Sequence, residues 1–470
     1  MELKGNYLIE LGYPEGRVIG VAIKVIEENY ANADKDELAE LLTAVLNSPA
    51  DYVEHPMVAG IAKTLIEETT ATTELLLKET GDNYSIFGIE NIEEGALNQM
   101  NIAMRLPVTI AGALMPDAHQ GYGLPIGGVL ATSNAVIPFG VGVDIGCRMC
   151  LSIYDIEETF LKENESKFKR ELLAHTRFGA GAGWPGKFRT DHEVLSKSEF
   201  NATPFIKSLF DKAASQLGTS GGGNHFVEFG ILELLEEDEL LQLPKGKYVA
   251  LLSHSGSRGF GATVANYYTK LAKSLCKLPK EAQNLAYLGL DSAEGQEYWM
   301  AMNLAGDYAS ACHEVIHEKL SKAIGGTLLK RVENHHNFAW KEQHNGQEVI
   351  VHRKGATPAS KDILGIIPGS MTAPGYLVKG KGKISAINSA SHGAGRRMSR
   401  TAAIKSFTMN DLRGVLKDKG VTLIGGGIDE APMAYKDIDA VMSFQADLVD
   451  VLARFTPKLV RMAEDGSRED

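Results

Sequence analysis

Histidines beside glycine, serine or arginine recur in this sequence, and one of them lies in a particularly dense setting. Residues 389–400 read SASHGAGRRMSR, which places His392 against two glycines and two arginines. Small residues let a ligand approach the backbone closely, and arginines supply planar donors that suit phosphate. The residue types alone leave four roles open for His392: a metal ligand, a general base, a nucleophile, or a histidine of an ordinary glycine-rich turn.

A metal site is indicated by a carboxylate and a thiolate three residues apart. Asp144 and Cys147 lie in the glycine-punctuated stretch FGVGVDIGCRM, and such a pair can close on one divalent ion, or the thiolate can bridge two. Three histidines, His225, His254 and His336, stand beside Gly, Ser, Asn or Arg, where loops and strand ends are expected. Together they predict a five-ligand site, and two ions sharing Cys147 would suit phosphoryl chemistry.

Four segments rich in glycine and serine are suited to binding phosphate through backbone N–H groups. They are GTSGGGN (218–224), SGSRG (255–259), PGSMTAPG (368–375) and HGAGRR (392–397). Each alone is compatible with an ordinary turn, but four of them beside a predicted metal site indicate nucleotide or RNA phosphates. HRKGAT (352–357) adds two cations and a histidine, or is simply an exposed basic turn.

Two other motifs are compatible with metal binding but have simpler interpretations. HEVIH, residues 313–317, places two histidines one helical turn apart, as zinc peptidases do, yet no third-ligand motif follows closely. CRMC, residues 147–150, has neither the second cysteine pair nor the βαβ setting that a zinc or redox site requires. We therefore expect HEVIH to belong to an amphipathic helix, and His313→Ala to leave a non-peptidase activity almost unchanged.

Length, charge and cysteine content narrow the class of protein. The 470 residues carry a net charge of -12 and 44% hydrophobic residues, so a large core is expected and nonspecific coating of nucleic acid is not. Four cysteines in such a chain indicate a reducing compartment. The sequence shows neither a signal-peptide pattern nor an apolar run long enough to cross a bilayer, so we expect a cytoplasmic protein without membrane contact.

The predicted secondary structure that must position these residues differs between the first 95 residues and the rest of the chain. Residues 1–95 show helical spacing, as in 35–47 and 58–79, and are predicted to form a helical N-terminal extension. Over residues 96–470 short apolar runs alternate with glycine-rich turns, which predicts one large α+β domain. Further helices are expected at 156–174, 232–242, 262–276, 296–323 and, in part, 437–455.

Nine motifs occur in an order that resembles the RtcB family of RNA ligases, which act in tRNA splicing and RNA repair. They are MPDAHQGYGLPIGG (115–128), VGVDIGCRM (141–149), GGGNHFVE (221–228), HSGSRGFG (254–261), HHN (335–337), HRKGAT (352–357), IPGSM (367–371), SHGAGR (391–396) and DEAPMAYKDID (429–439). The resemblance extends from about residue 95 to 455. It implies the α+β fold of that family, with a metal-containing cleft in a single large catalytic domain.

The resemblance also implies a reaction. Members of the family join an RNA 2′,3′-cyclic phosphate or 3′-phosphate end to a 5′-hydroxyl end, using GTP and a pair of metal ions, usually manganese. Neutral His392 matches the nucleophile that attacks GTP and forms a phosphoramidate with GMP. The residues that match the metal ligands are Asp144, Cys147, His225, His254 and His336.

The same resemblance places the nucleotide and the RNA in the cleft. The matching nucleotide-binding positions are Asn224, Phe226, Glu228, Asn337, Pro368, Gly369, Ser370, Met371, Gly393, Ala394, Gly395 and Tyr435. Among them, Phe226 and Tyr435 are expected to wall the base and Glu228 to hydrogen-bond guanine. Arg258 and Arg353 are expected to contact RNA phosphates. Asp117 and His119 match a family motif at the cleft, where they are expected to contact the ligand-binding residues and not the ligands themselves.

Two departures from the family pattern concern the base of the nucleotide. Gly375 stands where many relatives have serine. Most relatives end in Lys-Gly, whose lysine contacts guanine, whereas here Glu464 and Asp465 lie near that position. The cations available nearby are Lys458, Arg461 and Arg468. A carboxylate facing the guanine O6 acceptor would be repulsive, so we expect ATP to compete with GTP.

Two other functions stay open beside ligation. A metal-dependent RNA cyclic phosphodiesterase or phosphatase would keep the metal site but lack nucleotide transfer. An RNA end-binding protein would use the same cleft without catalysis, although it would have no evident use for five ligands together with His392. A covalent nucleotidyl-enzyme separates the ligase from both.

Overall fold

The computed structural model describes residues 5–14, 17–30, 33–72 and 75–464. Contacts along the chain divide them into a smaller unit, Met1–Leu76 with Ser274–Pro279, and a larger unit, Leu77–Lys273 with Lys280–Asp470. The mixed α+β class expected from the sequence is confirmed by the helices and sheets below. The domain boundary expected at residue 95 stays a prediction.

Helices of the smaller unit follow the apolar spacing of the sequence. They are α1 Gly5–Glu10, α2 Arg17–Asn29, α3 Lys35–Asn47 and α4 Ala59–Thr72. The Asp34 side chain accepts hydrogen bonds from the first backbone N–H groups of α3, which explains why that helix begins where predicted. Leu8, Val18, Leu42 and Ile61 are fully buried and form the centre of the unit's own core.

The helices of the rest of the chain are mostly short. They are α5 Glu94–Met104, α6 Pro138–Val141, α7 Glu158–Glu163, α8 Glu165–His175, α9 Pro204–Ser208, α10 Phe210–Gln216, α11 Arg258–Leu275, α12 Ala293–Ile324, α13 Arg400–Ser406, α14 Met409–Lys419 and α15 Ile438–Ser443. Helices predicted at 156–174, 262–276 and 296–323 are confirmed. In the described part of the chain, none of the helices is both long enough and apolar enough to cross a membrane.

The strands lie in the larger unit. They are β1 Ser85–Ile86, β2 Thr109–His119, β3 Ile126–Thr132, β4 Ala135–Val136, β5 Arg148–Tyr154, β6 Phe226–Leu234, β7 Gly246–Ser255, β8 Leu288–Gly289, β9 Leu328–His335, β10 Asn337–His344, β11 Gln347–Lys354, β12 Ala356–Pro358, β13 Leu364–Ile367, β14 Gly375–Gly380, β15 Ser389–Ser391, β16 Thr422–Gly426 and β17 Val449–Glu464.

Two large sheets and two small strand pairs organise the larger unit. One sheet has the order β1-β2-β3-β11-β10, and the other has the order β13-β14-β17-β6-β7-β5-β9, with β16 paired to β17. The short strands β12 and β15 pair with each other, as do β4 and β8. Met149 and Ala250 belong to the apolar cluster on one face of the second sheet, and Leu251 and Ile316 to the cluster on the other. Helix α12 contributes to this second cluster.

One predicted helical segment is wrong, and another, predicted to be helical in part, is confirmed as such. The stretch 232–242 begins as the end of β6, because Leu232 and Leu234 are buried while Glu233 between them is exposed. That alternation suits a strand paired on both sides, and tertiary pairing overrides the helical propensity of Leu and Glu. The stretch 437–455 is helical only over α15 and then enters β17.

Candidate functional site

The register of the second sheet brings distant residues to one of its ends. Arg148, the first residue of β5, pairs with Ser255 at the end of β7 and with His335 at the end of β9. Phe226, the first residue of β6, pairs with His254. The residues immediately before β5 and β6, within β7 at its end, and immediately after β9 therefore converge. These are Cys147, His225, His254 and His336.

The five predicted metal-binding residues contact one another at this end, and they are called the ligand cluster below. Cys147 Sγ lies 3.3 Å from His225 Nε2 and 3.1 Å from His254 Nε2. His254 Nε2 lies 3.1 Å from His336 Nε2, and Asp144 Oδ2 lies 3.1 Å from His225 Nε2. The structure thus brings all five residues together.

The hydrogen bonding of the ligand cluster suits a divalent cation. His254 Nδ1 lies 3.2 Å from the carbonyl oxygen of Asn224, which can only accept, so Nδ1 carries the proton. Its Nε2 lone pair then points toward the sulfur of Cys147 and toward His336. A lone pair that faces a sulfur atom and a second imidazole nitrogen is well placed to bind a metal cation. The set of carboxylate, thiolate and imidazole groups matches the donors that transition metals prefer.

Burial and local charge set the protonation of the ligand cluster. Burial lowers the pKa of His254 and His336 well below the usual value, so both imidazoles are neutral at physiological pH. Burial opposes ionisation of Asp144, but the hydrogen bond and charge of His225 and the charge of Arg258 together lower the pKa of its carboxyl. An ionised carboxylate beside neutral imidazoles is ready to bind a metal.

His392 is held by a buried carboxylate. Its Nδ1 lies 2.7 Å from Asp117 Oδ2, and its backbone N–H donates to the same oxygen at 3.2 Å. Burial opposes ionisation of Asp117, yet the hydrogen bond and charge of His392 lower the pKa of the carboxyl. The imidazole is oriented through Nδ1, and its ring centroid lies 5.0 Å from that of His336. His392 Nε2 is therefore the atom left to react.

The glycines after His392 let its loop close over Asp117. Gly395 has φ +72°, a backbone conformation that side chains disfavour, and a Cβ there would lie 2.1 Å from the Asp117 carbonyl oxygen. Strand β15 ends one residue before His392 and pairs with β12, Ala356 opposite Ser391. A short strand pair and a glycine turn thus fix the nucleophile candidate beside its carboxylate.

A cavity of about 810 Å³ opens beside His392. Eleven of the twelve predicted nucleotide-binding residues line it, and Asn337 is the exception. Asn337 instead donates to the Asp144 carbonyl oxygen at 3.4 Å and accepts from the Gly355 N–H at 2.8 Å, so it supports the ligand cluster. Arg396, Arg397 and Arg400 also line the cavity, which gives it a basic wall suited to phosphate.

Most of this chain matches the model of one known protein family. Residues 99–204 and 198–463 match the family model described as tRNA-splicing ligase RtcB. The chain belongs to the RtcB family. It is 33% identical to an RNA-splicing ligase RtcB of Escherichia coli K12, over 79% of this chain and 97% of the relative. It is 30% identical to a tRNA-splicing ligase RtcB of Nanoarchaeum equitans, over 79% of this chain and 92% of the relative. An RtcB homolog of Entamoeba dispar is 28% identical over 94% of this chain and 97% of its own.

The part of the cavity where the nucleotide base is expected to bind differs from the expectation drawn from the sequence. Glu228 is buried, and burial raises the pKa of its carboxyl well above the usual value, which favours the protonated form. Val460 and Met462 line the cavity here, whereas Lys458, Arg461 and Glu464 do not. Gly375 also lines it. Asp465 and Arg468 lie outside the described residues.

The predicted RNA contact of Arg353 is wrong because its side chain is fully buried. Its guanidinium forms a two-pronged ion pair with Glu342, at 2.6 and 3.0 Å, and donates to Ser389 Oγ at 2.8 Å. RNA therefore cannot reach it in this fold. Arg258 is also buried, with a donated bond to Gly256 and its Nη2 3.0 Å from His225 Nδ1. Its contact with RNA stays a prediction.

The histidines of HEVIH belong to a buried hydrogen-bond relay. His313 Nε2 lies 3.1 Å from the Ser255 carbonyl oxygen, so it donates there, and Nδ1 accepts from the Ser253 hydroxyl at 2.6 Å. Ser253 Oγ then accepts from His317 Nε2 at 2.7 Å, and His317 Nδ1 accepts from the Ser152 hydroxyl at 2.7 Å. Each of these ring nitrogens therefore has a hydrogen-bond partner. Cys150 Sγ also lies 3.8 Å from His317 Nδ1.

This relay gives His313 a structural role, while the expectation that His313→Ala leaves the activity almost unchanged stays a prediction. Ser253 and Ser255 flank His254 on β7, and their side chains share the face opposite to it because strand side chains alternate. His313 contacts both serines from α12 and so braces the strand that carries a metal-ligand candidate.

Several charged residues of the cavity were not among the site residues predicted from the sequence. Glu430 is buried and accepts hydrogen bonds from Arg396, Arg400 and Tyr435. Burial raises the pKa of the Glu430 carboxyl in spite of the two arginines. The signal was present in two motifs, SASHGAGRRMSR and DEAPMAYKDID, whose acidic and basic residues are complementary. The sequence did not indicate that the two motifs contact each other.

Proposed function

We propose that this protein is an RNA ligase that joins RNA 2′,3′-cyclic phosphate or 3′-phosphate ends to 5′-hydroxyl ends through a GMP intermediate on His392. The observation that carries the proposal is the His392–Asp117 pair, which lies in a phosphate-suited cavity beside the ligand cluster. Two RtcB relatives described as splicing ligases add support. The substrates of such an enzyme are the broken ends that arise in tRNA splicing or RNA damage, and we place it in the cytoplasm.

In the first step, His392 Nε2 attacks the α-phosphorus of GTP. A nitrogen–phosphorus bond forms, the bond from the α-phosphorus to the bridging oxygen breaks, and pyrophosphate leaves. Asp117 keeps the Nδ1 proton in place and offsets the positive charge that develops on the imidazole. Arg396 and Arg400, with the N–H groups of the turn Gly393–Gly395, face the phosphates from the cavity wall.

The ligand cluster, which includes Cys147, would hold the divalent metal, and we propose that this metal is manganese, with two ions. When bound, they supply positive charge that stabilises the transferring phosphoryl group. Asp144, His225, His254 and His336 provide the remaining donor atoms, and Asn337 keeps the Asp144 backbone in position. The convergence of acceptor atoms in the ligand cluster supports this assignment.

The later steps return His392 to its starting state. The RNA 3′-phosphate oxygen attacks the phosphorus of the GMP, the nitrogen–phosphorus bond breaks, and the RNA end carries GMP through a diphosphate link. The 5′-hydroxyl of the second RNA then attacks the RNA phosphate, and GMP leaves with the bridging oxygen. A 2′,3′-cyclic phosphate is first opened by water to a 3′-phosphate.

Transfer of labelled nucleotide tests the proposal. We expect manganese-loaded protein to acquire acid-labile label from α-labelled GTP, His392→Ala to acquire none, and His344→Ala to match the wild type. His344 lies on β10 and does not line the cavity, so it serves as the matched control. Metal-loaded protein that takes no label from GTP or ATP would overturn the ligase and favour the phosphodiesterase, phosphatase or end-binding alternatives.

We also propose that nucleotide choice is relaxed. Burial favours the protonated form of the Glu228 carboxyl, which both donates and accepts hydrogen bonds, and the apolar Val460 and Met462 side chains add no charge that selects guanine. ATP at equal concentration is therefore expected to reduce labelling by GTP measurably. Labelling that ATP leaves unchanged would show that Glu228 and Phe226 suffice to select guanine.

A further inference from the structure

Tyr122 is an exposed aromatic residue at the cavity that contains His392. Its side chain is 72% exposed, yet it lines the same cavity as His119, Gln120 and His392. None of the other described aromatic residues with high exposure, Phe160, Phe188 and Tyr267, lines that cavity. An exposed ring at a cleft offers a face on which a flat ligand can stack.

The loop that carries Tyr122 is firmly held, so its exposure is not that of a loose segment. The Gln120 N–H donates to Glu93 Oε1, the Gly121 N–H donates to Gln99 Oε1 at 3.0 Å, and Gln99 Nε2 donates back to the Gly121 carbonyl at 2.6 Å. Gly123 has φ +72°, and a Cβ there would lie 2.8 Å from the Asn284 carbonyl oxygen. The backbone on both sides of Tyr122 is therefore fixed.

A buried lysine, Lys354, hydrogen-bonds the backbone of Tyr122. Lys354 Nζ donates to the carbonyl oxygens of Tyr122 and Phe139, at 2.5 and 3.1 Å, and lies 4.9 Å from the centre of the Phe139 ring. The rings of Tyr122 and Phe139 have centroids 6.2 Å apart. Because backbone and neighbouring ring are ordered in advance, a flat ligand that stacks on Tyr122 loses little binding energy to ordering.

The mechanism proposed above leaves Tyr122 unused. The nucleotide base is assigned to the part of the cavity lined by Phe226 and Tyr435, whereas Tyr122 belongs to the segment after Asp117 and His119. The second substrate of the same cavity is an RNA end. Unpaired bases stack readily on exposed aromatic side chains, whatever their sequence, because every base has a π face.

We propose that Tyr122 is a stacking platform for an unpaired nucleobase at the RNA end that is brought to His392. The proposal rests on the proposed RNA ligase function and adds a residue that binds RNA. The base could belong to the strand with the 3′-phosphate or to the strand with the 5′-hydroxyl. The chemistry is the same, and the two strands are varied separately in the test.

The experiment compares Tyr122→Ala, Tyr122→Phe and the wild-type full chain, with Phe188→Ala as the control for loss of an exposed ring outside the cavity. Three quantities are measured: His392 labelling by α-labelled GTP without RNA, the KM for each RNA strand in ligation, and the Kd of each strand by fluorescence anisotropy. Every RNA is used with a normal terminal nucleotide and with an abasic one.

We expect Tyr122→Ala to raise the KM and Kd of one strand about tenfold, which corresponds to ~1.4 kcal/mol. Tyr122→Phe and Phe188→Ala should stay close to the wild type, and labelling without RNA should be unchanged. With abasic RNA the difference between Tyr122→Ala and the wild type should disappear. The strand that shows the effect is the one that stacks.

Two results would overturn the platform. In one, Tyr122→Ala binds both strands as the wild type does. In the other, it loses equal affinity for normal and abasic RNA, which would mean that Tyr122 contacts the backbone or supports the fold. Absence of labelling in the wild type would contradict the ligase alone, because the anisotropy measurement still reports whether Tyr122 stacks on a base.

Discussion

One hydrogen bond decides which atom of His392 can react. The Asp117 carboxylate lies against Nδ1 and is itself fully buried, so the ring is held in one orientation and Nε2 faces the cavity. An imidazole without this partner could rotate or place its proton on the other nitrogen. In the proposed mechanism the carboxylate would also stabilise the cationic ring that a phosphoramidate requires. The role of His392 therefore depends on a residue 275 positions away in the sequence.

Asp117→Asn is expected to slow labelling of His392 by about 100-fold or more, the usual range for a group that controls a proton in the transition state. Asparagine keeps the shape of the side chain but removes the charge that supports a cationic ring. The rate of label transfer from α-labelled GTP measures the effect. The thermal midpoint and the metal content of the variant serve as controls, and labelling at the wild-type rate would contradict the positioning role.

At the scale of elements, helix α12 and strand β7 act as one support for the ligand cluster. His313 and His317 contact serines on the face of β7 opposite to His254, so the strand is hydrogen-bonded on one face and carries the ligand on the other. The hairpin of β10 and β11 is supported in a similar way by the ion pair of Arg353 with Glu342. In both cases, polar residues from motifs that suggest a functional site instead stabilise a strand or a hairpin.

His313→Ala is expected to lower the free energy of unfolding by about 2 kcal/mol or more, because the Ser253 hydroxyl and the Ser255 carbonyl lose their buried partner. We also expect weaker metal retention. Urea denaturation and metal content after dialysis measure both effects. Glu318→Ala, on the exposed side of α12, is the matched control. Unchanged stability and metal content in His313→Ala would contradict the bracing role.

Arg353→Met is expected to destabilise the fold by about 3 kcal/mol without changing the KM for RNA, since it leaves the Glu342 carboxylate without its cation. The double variant Arg353→Met/Glu342→Gln should regain part of the lost stability, because it removes the unpaired charge as well. Chemical denaturation and ligation kinetics separate the two effects. A variant of normal stability with a raised KM for RNA would instead support the original prediction of an RNA contact.

At the scale of the whole molecule, buried histidines make stability depend on pH. Burial lowers the pKa of the fully buried His313 and His352 and of the half-buried His119 to about 4. In the unfolded chain these groups titrate near 6.5, so between pH 6.5 and 4 the unfolded state binds more protons than the folded state. Stability from these groups is therefore complete above pH 6.5 and decreases as the pH falls toward 4.

The free energy of unfolding of metal-free protein, measured by urea denaturation, should fall steadily from pH 7 to pH 4.5. The decrease should be up to about 1.4 kcal/mol per pH unit for each such histidine. His352→Gln should have a shallower pH dependence than the wild type, because His352 is buried in the first sheet away from the ligand cluster. A flat stability profile over this range would show that these histidines take up protons at the same pH in the folded protein as in the unfolded chain.

The sequence by itself determined the helices of regular spacing, the α+β class and the types of residue in the ligand cluster. Helix α3 begins and ends where its apolar spacing predicts, because that signal is local, and Asp34 caps its first turn. The motifs around Cys147 and His392 carry their chemistry in short runs of residues, which a sequence displays directly. The family followed from the order of those motifs and is now supported by comparison.

Only the tertiary structure decided which of these residues meet. Cys147 and His254 are 107 positions apart and become neighbours through the pairing of β5 with β7. Arg353 and His313 carry the residue types of a functional site, yet packing buries both among partners that they stabilise. Tyr122 resembles any other tyrosine in the sequence and is exposed at the cavity because Glu93, Gln99 and Lys354 fix its loop. Burial and long-range pairing depend on the whole chain, so no local pattern reveals them.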